Sequence, residues 1–129
     1  MRASIAIALL AALSGLTVAG DNPTSFAEAK KIWDSTKDRK EYQQYIAEFS
    51  QFNNYMHLDE KDGCYALAKG PVELMLVITH QGQDEYAVIS QVLTNVDNAK
   101  AQCFKGSYGG VQTKIPPFFP FVLQMSMGG

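Results

Sequence analysis

The chain has 129 residues, 47% of them hydrophobic, and a formal net charge of −2 from 11 Lys and Arg against 13 Asp and Glu. That length holds one ordinary domain. The charges are spread along the chain with no concentrated basic face, which argues against a nucleic-acid-binding protein, and past residue 20 no apolar run is long enough to cross a bilayer.

Arg2 precedes an apolar run over residues 5–13, and small residues follow through Gly20. One positive charge, an apolar stretch and a small-residue end make the pattern of a secretory signal peptide, residues 1–19. Cleavage fits after Ala19 or after Gly20. The run is short of the ~20 residues a membrane span requires. No cysteine follows it directly to take a lipid. The remaining chain, 20–129, is expected to fold as a single domain in an oxidising compartment, with no membrane insertion after signal removal.

Asn22-Pro23-Thr24 breaks the chain, and Ser25 with Glu28 fits a capping box opening a helix. Phe26, Ala29, Ile32 and Trp33 fall on one face of it. After a stop at residues 35–38, helical spacing resumes with Tyr42, Tyr45, Ile46, Phe49, Phe52 and Met56. This aromatic stripe reads as a face laid on a sheet rather than a ligand box, because an amphipathic helix must bury its apolar side. The N-terminal helices together span 25–57. The acidic turn at 58–63 is not a calcium loop, since Lys61 stands where an oxygen ligand is needed.

Cys64 and Cys103 are the only cysteines. In an oxidising compartment the pair reads as one disulfide, closing a loop of about 40 residues worth roughly 4 kcal/mol on the chain-entropy model. A metal site with His57 and His80 is the rival reading. It lacks the closely spaced ligand pairs usual for zinc, so no metal and no cofactor are expected.

From Gly70-Pro71 the period changes to two. Val72, Leu74, Leu76 and Ile78 make one buried face, and Met75 and Val77 suggest that the other is partly covered. A turn at 80–85 leads to a second strand over 86–93, the pair forming an antiparallel hairpin. A short helix over about 98–105 places Ala99 and Cys103 on one inward face, and Gly106 with Gly109-Gly110 ends it. The glycine-rich string lacks the Lys-Ser/Thr of a phosphate loop and follows a helix rather than preceding one. Lys114 to Pro120 carries three prolines and is read as a rigid lead-in with Phe118 and Phe119 packed inward. Phe121, Leu123, Met125 and Met127 alternate as a last strand. The expected fold class is α+β, with the N-terminal helices packed on a small three-stranded antiparallel sheet in ββαβ order over 65–127.

This second half resembles TonB-type C-terminal domains. The resemblance rests on Gly70 and the alternating strand ending in Thr79, on Gly82, on Ile89-Ser90-Gln91-Val92-Leu93, on the helix near 97–104, and on Pro116-Pro117-Phe118 before the final strand. It covers about 60 residues. The inner-membrane helix and long Pro-rich spacer of TonB proteins are missing from this sequence, so a complete energy transducer is not implied. What the resemblance implies is a periplasmic domain that binds an extended segment at a sheet edge. If the usual strand order holds, that edge is the last strand, with Val122, Gln124 and Ser126 on one face.

No G-x-S-x-G, H-E-x-x-H or C-x-x-C motif is present. The adjacent pairs Asp59-Glu60 and Asp84-Glu85 would point to opposite faces of a strand and make no acid/base couple. No enzyme is expected. The expected function is a periplasmic protein-interaction domain whose partner is an envelope or periplasmic protein. The alternative is a periplasmic inhibitor or immunity protein acting on a toxin or hydrolase.

Overall fold

The computed structural model describes residues 21–55 and 63–128. Residues 1–20, where the signal peptide is expected, most of the acidic turn, Met56 and His57 lie outside the described residues, as does the side chain of Phe52.

Helix α1 spans Phe26–Thr36 and α2 spans Lys40–Tyr55. Ser25 caps α1 by accepting the Glu28 N–H at 3.2 Å. The return arm reaches one residue further than a reciprocal box would. The Glu28 carboxylate accepts from the Thr24 N–H at 2.9 Å and the Thr24 hydroxyl at 3.1 Å, and the Thr24 amide is the main reason its pKa lies below the usual value.

A 3-10 turn at Tyr65–Leu67 leads to β1 (Val72–Thr79) and β2 (Ala87–Thr94). Helix α3 (Ala99–Tyr108), β3 (Gln112–Thr113) and β4 (Phe121–Met127) follow. The sheet is antiparallel with the order β3-β2-β1-β4. It has four strands rather than three, because Gln112 and Thr113 pair with Val88 and Ala87.

The two faces of the sheet are covered by different helices. Val72, Leu74, Leu76, Ile78, Phe121, Leu123 and Met127 form one core with Tyr42, Tyr45 and Phe49 of α2 and with Ala101, Phe104 and Tyr108 of α3. On the opposite face Met75 and Val122 pack with Ala29, flanked by Phe26 and Ile32 of α1. The first core is the larger, and burying each large apolar side chain contributes about 1.5–3 kcal/mol. The N-terminal helices therefore straddle the sheet instead of stacking together on one side. The linker between them is the three residues Lys37, Asp38 and Arg39.

Three local expectations change. Helix α3 continues through Gly106 to Tyr108, because Phe104 and Tyr108 are both fully buried and anchor the last turn. Its inward face is Ala101, Phe104 and Tyr108, while Ala99 is exposed. Phe118 packs against the core, 5.3 Å from the Phe121 ring, but Phe119 is exposed.

Lys100 is buried as well. Its ammonium donates to the Gly70 carbonyl at 2.6 Å, tying α3 to the turn before β1. Gly70 has φ +89, a conformation that glycine adopts without steric cost.

Candidate functional site at the sheet edges

Cys64 and Cys103 form a disulfide with a Cα–Cα distance of 5.5 Å. It joins the residue before the 3-10 turn to α3 and so fixes α3 against the start of the hairpin. Both sulfurs are consumed, which removes the cysteines from any metal site. His80 is engaged elsewhere, its Nε2 lying 2.6 Å from the Asp84 carbonyl oxygen within the hairpin turn. Among the described residues no three His, Cys, Asp or Glu side chains gather as ligands.

Strand β4 forms one edge of the sheet. The direction of its main chain follows from its neighbours. The Asn95 N–H donates to the Glu73 carbonyl, so the main chain of Glu73 faces β2. Glu73 is paired across with Ser126, Met75 with Gln124, and Val77 with Val122. Alternate residues of an antiparallel ladder face alternate neighbours. Val122, Gln124 and Ser126 thus turn their N–H and C=O groups away from the sheet. These are the three residues expected from the sequence, and the strand does bring them together.

Their side chains differ in access. Val122 is fully buried under α1, Gln124 is half-buried and Ser126 is exposed. The Gln124 amide nitrogen donates to Ser126 Oγ at 2.9 Å.

The α1–α2 elbow passes round this edge. Trp33 packs against both cores, which only a side chain at the rim of the sheet can do. Tyr42 stacks on Phe121 with ring centroids 5.1 Å apart. Its buried hydroxyl lies beside the Gln124 main-chain amide and the Trp33 side chain but forms no well-made hydrogen bond. Burial pushes its pKa up to about 12, and the two neighbouring groups pull the other way. A strand approaching β4 meets this cover at Gln124 and open chain at Ser126.

The opposite edge was not legible as a strand. Its only sequence signal was the short run Val111-Gln112-Thr113 after two glycines. The Ile89 N–H donates to the Val111 carbonyl at 2.9 Å, and Ala87 pairs with Thr113. Gln112, between these bonded positions, directs its main-chain groups outward. Beside it a cleft of about 610 Å³ opens on the α1 side of the sheet, beyond the reach of α1.

Comparison with protein-family models, with curated proteins and with solved structures finds no match for this chain.

Proposed function

We propose that this chain is an exported, non-enzymatic interaction domain of the bacterial periplasm. In this reading it binds an extended segment of an envelope protein along a sheet edge, in the manner of TonB-type C-terminal domains. The observation that carries the reading is Ser126, exposed near the end of edge strand β4 with its main-chain groups turned outward, while Val122 and Gln124 face the same way beneath α1 and the elbow. An outward-facing edge residue can start the pairing of a further strand, since unpaired N–H and C=O groups gain partners there. The disulfide suits an oxidising compartment. Binding through this edge starts at Ser126, where the strand is open.

The test uses a photo-crosslinking residue placed at Ser126 in cells that export the protein. A partner is identified by mass spectrometry, and its affinity is then measured with purified proteins. The decisive variant is Ser126→Pro. It deletes one outward N–H and leaves the ladder to β1 intact, which edge strands tolerate. The reading expects binding to be lost while the thermal midpoint stays within a few degrees. Undiminished binding by Ser126→Pro would exclude strand addition at β4.

A further inference from the structure

The second edge of the sheet carries a different chemistry. Asp84 and Glu85 line the 610 Å³ cleft beside β3, together with Thr79, Ser90 and Gln112, and no basic side chain lines it. Neither carboxylate is paired with a cation among the described residues. Lys114 lines the adjoining cleft and is paired with Glu48 at 2.6 Å. Tyr86 stands between the two clefts and is 51% exposed, a large aromatic side chain left in solvent. Gln112 lines both, and its main-chain N–H and C=O point outward.

We propose that the β3 edge receives an extended basic segment of a partner protein, its main chain paired with Gln112 and its Lys or Arg side chains set against Asp84, Glu85 and the Tyr86 ring. Each part of the surface has a use in that complex. The outward main chain of Gln112 fixes the direction of the incoming strand. The two carboxylates supply charge complementarity, which selects the partner and speeds encounter. An exposed tyrosine ring attracts a cation over its face. Side chains alternate across a strand, so every second residue of the partner should be the basic one. This edge is independent of β4 and stands whether or not β4 binds a partner.

The test is a titration of the isotope-labelled, oxidised protein with a six-residue peptide alternating lysine and threonine. The expected result is shifted amide resonances at Gln112, Val88 and Tyr86. Replacing lysine by acetyl-lysine should abolish the shifts, and so should N-methylation of the peptide residue opposite Gln112. The double variant Asp84→Asn, Glu85→Gln should bind about tenfold more weakly. Both positions are exposed turn residues, and circular dichroism confirms that the variant folds. Raising salt from about 0.05 to 0.5 M on the unmodified protein gives a second reading of the same charges, with binding expected to weaken. The Ser126→Pro change should leave this titration untouched. No binding, equal binding by the N-methylated peptide, insensitivity to both neutralisation and salt, or shifts confined to β4 would each overturn the proposal.

Discussion

Tyr45 on α2 donates its hydroxyl to the main-chain carbonyl of Lys114 at 2.6 Å and lies 3.0 Å from Thr113 Oγ1. One phenol thereby ties the helix on one face of the sheet to its shortest strand. Tyr42, three residues earlier on the same helix, is equally buried but has no hydrogen-bond partner for its hydroxyl. The two tyrosines should therefore respond in opposite ways to loss of the hydroxyl. Tyr45→Phe leaves the buried Thr113 hydroxyl and the Lys114 carbonyl without this partner and should cost about 1–2 kcal/mol in urea unfolding. Tyr42→Phe removes an unsatisfied polar group and should be neutral or stabilising by up to about 1 kcal/mol. A Tyr42→Phe protein clearly less stable than its parent would mean that the hydroxyl is bonded after all.

The same two phenols set an alkaline limit. Burial is the main cause that pushes both pKa values up to about 12, from 10.0 for a free phenol. Below pH 10 both the folded and unfolded states hold the protons, and the contribution to stability is complete. Between pH 10 and 12 the unfolded chain releases protons that the folded state keeps, so stability falls by roughly 1.4 kcal/mol per pH unit for each phenol. Above pH 12 the contribution is gone. Urea unfolding from pH 9 to 12 should show this decline, and the double variant Tyr42→Phe, Tyr45→Phe should flatten it.

The disulfide closes a loop whose ends are 39 positions apart. Opening it by reductant, or by Cys64→Ser with Cys103→Ser, should cost about 2–4 kcal/mol. For a domain of this size that lowers the thermal midpoint by roughly 10–20 °C, measurable by calorimetry. The 3-10 turn and the middle of α3 around Cys103 should lose amide protection first, because the bond joins these segments. An unchanged midpoint after complete reduction would show that packing around Cys64 suffices alone.

Helix α1 is the thinnest layer of the molecule, held to its face of the sheet by Ala29 against Met75 and Val122 with a few flanking side chains. A carboxylate at position 29 would be buried without a cation partner. Ala29→Glu should therefore release α1 while the larger core on the other face persists. Hydrogen exchange should show amides 26–36 and Val122 unprotected and β1 still protected. Loss of protection throughout β1 would mean that the sheet cannot stand without α1.

Much of this architecture follows from the periodicity of the chain. The switch from helical to alternating spacing at Gly70 locates β1 correctly at Val72–Thr79, and among the described residues the apolar stripes of both N-terminal helices, through Phe49 on α2, are the faces that pack. The disulfide was equally legible, since two cysteines allow only one pair. The misreadings share a cause. Gly106 lies inside α3 because burial of Phe104 and Tyr108 outweighs one glycine's helix cost, about 1 kcal/mol. Strand β3 escaped notice because two residues carry no period, and it exists only through its pairing with β2.

Sequence alone determined which side of each element is apolar, because side-chain spacing records that directly. It could not say which face of the sheet each helix would cover, since Met75 and Val77 make both faces apolar enough to receive one. Tertiary packing decided that α1 and α2 take opposite faces, and a three-residue linker then forces their elbow around β4. That choice buries Val122 and covers the Gln124 amide. Among the described residues Ser126 and Gln112 stay exposed for a physical reason no pattern of residues encodes: α1 ends at Thr36, and α2 meets the β3 strand from the other face, through Tyr45 on Thr113 and Lys114.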